Sequence, residues 1–266
     1  MNRRHLATTG ALAAGALLAA TRAEAQSVGK SRLAQVLERG TLKVGTTGDF
    51  NPMSFRDTAS NELRGFDIEA MQGMAADLGV KIEWVQAEWA TLVAGVASNR
   101  FDIFSGASVS IARARTAAFS MPYLEAGTVP VTTKANAPKF TTWESLNAPG
   151  VRISVSQGTV FDEQARKYLP KSEIRSVQAP ATGYQEVLSG RADATITSNV
   201  EASTLVQRFP ALTLLGSGAE LRSRRPFAYV VAQDDPTWLN FINTWITLKT
   251  SEGLFASLEA KWLPKG

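Results

Sequence analysis

The stretch FDIFSGASVSIARAR, residues 101–115, decides how the chain is read. Phe101 to Phe104 is a short apolar run of the kind that forms a buried strand, and it opens into the small-residue edge Ser105-Gly106-Ala107-Ser108. The segment Ile111 to Ala118 then suits a short helix carrying Arg113 and Arg115. Glycine lets backbone N–H groups approach an anion, Ser108 adds a hydroxyl, and an arginine can grip a carboxylate through two N–H groups. Taken alone, Arg113 would read as a solvated helix residue; Arg115 reads as facing water.

Working outward, short β-rich runs alternate with helical-period runs, the pattern of an α/β fold. Toward the N-terminus, Thr41 to Gly45 reads as a strand leading into the loop Gly48-Asp49-Phe50-Asn51-Pro52. Phe66 to Leu78 reads as a helix closed by Gly79, Val80 to Gln86 as a strand and Thr91 to Ala97 as a helix. A second set follows Met121-Pro122-Tyr123, with strands at Thr128 to Thr133, Arg152 to Val155, Ile174 to Val177 and Ala194 to Thr197. Between them lie helices near Thr141 to Leu146, where Thr141 and Glu144 make a capping-box pattern, Val160 to Tyr168, and Tyr184 to Leu188 closed by Gly190. The pattern predicts two lobes of similar plan rather than one continuous sheet. The expected boundaries are 27–125 for the first part of lobe 1, 126–221 for lobe 2, and 222–266 for a return to lobe 1. In that return, Ala228 to Ala232 reads as a strand, and Asp235-Pro236 opens a helix whose residues Trp238, Phe241, Ile242, Trp245 and Leu248 share one face suited to core packing.

Composition narrows the chemistry. The 266 residues include one His and no Cys, which removes disulfides, thiolate nucleophiles and thiolate metal sites. Residues 1–25 read as a signal peptide, with Arg3 and Arg4, an apolar Ala/Gly-rich run from Leu6 to Ala20, and the cleavage pattern Ala23-Glu24-Ala25. The paired arginines also suit a twin-arginine route to the periplasm. Since the single histidine is His5, the mature chain would hold none, and Ser-His-Asp catalysis is excluded. Cleavage removes Arg3, Arg4 and Arg22 against Glu24, so the net charge of +4 falls to +2. No basic run supports nucleic-acid binding, and no metal or cofactor is expected.

Three strand edges have chemistry suited to a carboxylate. Open α/β sheets place ligands at the carboxyl ends of their strands. Asp49 and Phe50 sit at the first such edge, where Asp49 could bind a hydroxyl or cation and Phe50 could stack on a planar group, or where both simply shape a turn. The second is Ser105 to Ser108 with Arg113. The third is Gln157-Gly158-Thr159, where a helix start offers free N–H groups and a hydroxyl, though a plain N-cap threonine would look the same. Together they suggest a carboxylate held in a cleft between two lobes.

Gly65-Phe66-Asp67-Ile68-Glu69, Arg100-Phe101-Asp102, Ser105-Gly106-Ala107-Ser108, Arg113 and Phe119-Ser120-Met121-Pro122-Tyr123 resemble, in order and spacing, the family 3 periplasmic solute-binding proteins of ABC transporters. Thr46 to Phe50, Trp89 and Arg113 through Leu124 are most similar to the periplasmic cyclohexadienyl dehydratases within that superfamily. The resemblance implies a two-lobed, type II periplasmic-binding-protein fold, a monomer that delivers its ligand to a membrane permease, and a ligand site built from Asp49, Phe50, Trp89, Gly106, Ser108, Arg113, Thr159 and Ser198. Arg113 matches the carboxylate-clamping arginine, supported by Ser108 and Thr159, and Phe50 matches the aromatic that stacks on the ligand.

Two positions depart from the pattern. Ser198 stands where amino-acid binders usually carry an Asp for the α-ammonium. Phe161 stands two residues beyond Thr159, where the dehydratases carry a catalytic Glu, and the carboxylates Asp162 and Glu163 come one and two places later. A helix turns by about 100° per residue, so that shift re-aims the acid. The leading expectation is a periplasmic binding protein for a small carboxylate, an amino acid or a related organic or aromatic acid. The alternative is a carbon–oxygen lyase that removes water and carbon dioxide from prephenate or arogenate, with Glu163, Asp162 or Glu201 as its single acid. The plainer reading makes Asp162 and Glu163 first-turn residues that favour the helix dipole, and Glu201 a solvated helix residue.

Overall fold

The computed structural model describes residues 30–215 and 221–263. The expected signal segment 1–25, with His5 and the paired arginines, lies outside the described residues. Contacts divide the chain after Ser31, and the fold is that of the unit Arg32–Gly266.

The elements in chain order are α1 (Arg32–Arg39), β1 (Thr41–Thr46), β2 (Asp49–Phe50), β3 (Ser54–Arg56), β4 (Leu63–Arg64), α2 (Phe66–Asp77), β5 (Lys81–Gln86), α3 (Leu92–Ala97), β6 (Ile103–Ser108), α4 (Ile111–Ala114), β7 (Ala118–Phe119) and β8 (Leu124–Thr133). There follow α5 (Trp143–Leu146), β9 (Arg152–Ser156), α6 (Val160–Tyr168), β10 (Glu173–Val177), α7 (Gly183–Leu188), β11 (Ala194–Ser198), α8 (Asn199–Arg208), β12 (Leu212–Leu214), β13 (Arg222–Val231), α9 (Pro236–Ser251) and α10 (Leu254–Trp262).

The main sheet runs β10-β9-β11-β8-β13-β6-β1-β5, with β12 on β8 and β7 on β13. It has two halves of the same plan. In each, three parallel strands (β5, β1 and β6; β10, β9 and β11) meet one antiparallel strand, β13 or β8. The hydrogen-bonded path is continuous, which corrects the expectation of two separate sheets. Strand β8 is the reason: residues 124–128 pair with β13 and residues 128–132 with β11, so one ten-residue strand serves both halves.

Local sequence explains most of these elements. Leu42 and Val44 alternate with partly exposed neighbours in β1 and bury their side chains in the core beneath α2. Helix α2 ends as expected, with Gly79 in the left-handed region (φ +67°) and its N–H donating to the Ala76 carbonyl at 3.0 Å. Ser105 to Ser108, expected as the edge into which the strand opens, continue strand β6 itself, because β13, more than a hundred residues later, supplies the partner (Ser108 opposite Phe227, Ala107 opposite Ala228). Helix α5 is capped one residue later than expected, by Thr142 with Ser145. In α9, Trp238, Ile242 and Trp245 are buried, whereas Leu248 is exposed and Ile246 takes the inner position.

Candidate functional site

One cavity gathers residues from β2, from the ends of β6, β9 and β11, from helices α4, α6, α7 and α8, and from β13. It encloses about 580 Å³ of empty space, part of it open to solvent. This is the strand-end crevice where α/β sheets hold ligands.

Asp49, Phe50, Trp89, Ser108, Arg113 and Thr159, six of the residues expected to bind ligand, line it. Phe50 and Trp89 meet edge to face, with centroids 5.8 Å apart, and Phe50 stacks on Phe227 at 5.9 Å, which makes one wall aromatic. The Trp89 Nε1–H donates to both Asp49 oxygens, at 2.9 and 3.2 Å. Burial raises the Asp49 pKa, against the lowering effect of that indole bond.

Arg113 is mostly buried. Its Nη1 donates to the Ser108 carbonyl at 3.1 Å and its Nη2 to the Gly158 carbonyl at 3.0 Å. No carboxylate among the described residues forms an ion pair with it. Burial brings its pKa down to about 10, with the charge of Glu163 opposing and that of Arg225 assisting, so it remains a cation at neutral pH. Thr159 caps α6: its hydroxyl accepts from the Asp162 N–H at 3.3 Å and donates to the Ser156 carbonyl at 2.7 Å. Gly158 is left-handed (φ +74°), and a Cβ there would lie 2.6 Å from the Ala90 backbone of the opposite half, so both its conformation and its close contact favour glycine.

Two expected ligand residues are placed elsewhere. Gly106 is absent from the lining, and its Cα packs beneath Tyr123 and Asp67. Ser198 is buried and spends its hydroxyl capping α8, accepting from the Glu201 N–H at 3.1 Å. Of the three acid candidates, Asp162 turns away to Arg166 (3.0 Å) and Ser176 (2.9 Å), and Glu163 is exposed and off the lining. Glu201 faces the cavity, contrary to its reading as a solvated helix residue. Although accessible from the cleft, its carboxyl is crowded by protein atoms, and this burial pushes its pKa up to about 8. The hydroxyl of Thr197 donates to it and the nearby charge of Asp49 raises it further. Phe161 also lines the cavity, at the offset where the resemblance implied an acid. Tyr184, Thr197, Leu205 and Phe227 are among the remaining wall residues and carried no local signal in the sequence.

The sequence pattern of the bacterial extracellular solute-binding proteins, family 3, matches residues 42–265. The chain belongs to that family. This binding protein is 34% identical over 266 residues, 98% of it and 94% of the relative, to cyclohexadienyl dehydratase of Pseudomonas aeruginosa. It is 29% identical over 231 residues, 86% of it and 85% of the relative, to the L-cystine-binding protein TcyJ of Escherichia coli. Its structure is similar to that of the ancestral amino acid-binding protein AncCDT-1, a precursor of cyclohexadienyl dehydratase, with a TM-score of 0.82 and 34% identity over 88% of this chain and 100% of that one. The fold is the two-lobed α/β fold of these proteins, as the sequence led one to expect, and the role is that of a solute-binding protein.

Proposed function

We propose that this family 3 binding protein captures a small carboxylate of the amino-acid type in the periplasm and presents it to the permease of an ABC transporter. Export would follow from the signal segment at 1–25. The observation that carries the ligand class is Arg113, a largely buried guanidinium that faces the cavity without a carboxylate partner among the described residues. A buried cation left so is costly, and a ligand carboxylate would relieve that cost. Phe50 and Trp89 would cover the ligand's apolar part. Closure of lobe 2 (126–221) on lobe 1 (27–125 with 222–266) would exclude water.

The experiment is a calorimetric titration of the purified protein with a panel of amino acids and organic acids, repeated on Arg113→Ala. Binding of at least one carboxylate, lost in the variant, supports the reading. No binding across the panel, or unchanged binding by the variant, overturns it.

Glu201 favours a second reading, dehydratase activity on prephenate. A carboxyl that is still protonated at neutral pH could donate its proton to the leaving hydroxyl. The C–O bond then breaks as water departs, the ring carboxylate leaves as carbon dioxide, and its bonding electrons complete the aromatic ring of phenylpyruvate. The test is phenylpyruvate formation above the buffer rate, abolished by Glu201→Gln; a rate equal to buffer removes this reading and leaves the first intact.

A further inference from the structure

The charged residues of the cavity lining are Asp49, Arg113 and Glu201. A ligand carboxylate seated on Arg113 would cancel that cation and leave two carboxyl groups without a cation from the lining. Neither has an ion pair among the described residues: Asp49 accepts from the neutral Trp89 indole and Glu201 from the neutral Thr197 hydroxyl. Ser198, the position from which the family pattern led one to expect an ammonium partner, is turned into the helix cap. The unmatched negative charge of the cavity thus lies with Asp49 and Glu201.

We propose that Glu201 is a specificity-determining residue that gives up its proton when a cationic ligand group arrives beside it and Asp49. The cleft then prefers a carboxylate ligand of net single positive charge, an α-amino acid with a second ammonium or a guanidinium. This inference rests on the carboxylate reading of Arg113.

Charge balance supplies the reason. With Glu201 protonated, Asp49 and Arg113 leave the cavity neutral, which suits a zwitterion. With Glu201 ionised, the cavity carries one net negative charge, which suits a ligand with one carboxylate and two cations. Buried charge is tolerated when it is paired, so the cation and the loss of the proton stabilise each other. The groups that face Glu201 all bear on this. Asp49 from β2 raises its pKa, Tyr184 from α7 and Arg113 from α4 share the cavity, and Arg56, Asp57, Glu88 and Arg208 line the wider mouth, where solvent screens them. Burial holds the empty-cleft pKa of Glu201 at about 8, so at neutral pH there is a proton to release.

The test is isothermal titration with L-lysine and L-arginine between about pH 6 and pH 8.5, in buffers of different ionisation enthalpy. Linkage predicts release of about one proton per ligand at pH 7 and affinity rising up to about tenfold per pH unit below about pH 8, then levelling. L-glutamine, without net charge, should bind with no proton release. Glu201→Gln should abolish the release seen with L-lysine, and Glu201→Asp should keep it. L-lysine binding without proton exchange, an unchanged pH slope in Glu201→Gln, or no binding of either cationic probe at pH 8.5 overturns the proposal. If other carboxylates still bind and lose affinity in Arg113→Ala, the carboxylate reading survives that failure.

Discussion

The Nη2 of Arg113 donates to the main-chain carbonyl of Gly158 at 3.0 Å, and the two residues belong to opposite halves of the sheet. The proposed carboxylate clamp therefore also ties the cleft shut. Replacing Arg113 by Ala should remove both contacts. Truncating one partner of a buried charge pair costs about 2–5 kcal/mol, so affinity should fall about 30-fold to several thousand-fold. Arg113→Lys keeps the charge but loses the planar fork, and should recover only part of that affinity in the same titration.

Gly158 gives a second prediction. A Cβ there would lie 2.6 Å from the Cα and N of Ala90, at a backbone φ of +74°. The strain of a left-handed alanine is about 1–2 kcal/mol, but the clash with Ala90 arises only when the halves are closed. Gly158→Ala should therefore keep a cooperative unfolding transition while losing the compaction that ligand causes in the parent. Small-angle scattering with and without ligand reads this; an unchanged compaction would contradict it.

The sequence made the α/β order and Arg113 legible because each rests on local pattern. Helix α6 was read at its observed bounds, since Thr159 and the acidic first turn that follows it lie side by side in the chain. What escaped was set by distant partners. Ser105 to Ser108 read as an edge beyond the strand until β13 is known to pair with them. Glu201 looked solvated because neither the bounds nor the inward face of the helix that carries it was legible locally. Its aim into the cavity depends on Ser198 capping that helix and on the position of β11 in the sheet. Ser198 and Gly106 were drawn to the ligand by pattern alone, and the packing of Gly106 against Tyr123 and Asp67 has no signature in neighbouring residues.

Asp67 carries a pH prediction. It is fully enclosed, accepts from the Tyr123 hydroxyl at 2.7 Å on one oxygen, and its Oδ2 has no partner. Burial raises its pKa well above the usual carboxylate value. The folded state thus holds a proton that the unfolded chain gives up above about pH 4, and stability falls as pH rises from there toward the folded pKa. Asp67→Asn has no proton to lose. Its melting temperature should gain on the parent as pH goes from 4 to 8, and a constant gap would contradict this.

Trp238 tests the core of the first half. It is almost fully buried and its Nε1–H donates to the Asp102 carbonyl at 3.0 Å. Trp238→Phe removes that hydrogen bond and should cost about 0.5–1.5 kcal/mol from the hydrogen bond alone, read by denaturant unfolding. A loss below that range would place the carbonyl in contact with water.

The most direct measurement compares, on the parent protein, a carboxylate ligand found in the panel with the same molecule carrying a neutral carboxamide in place of the carboxylate. If Arg113 waits for that carboxylate, affinity falls at least about a hundredfold with the carboxamide, which corresponds to about 2.7 kcal/mol. Equal affinity for the two would contradict it.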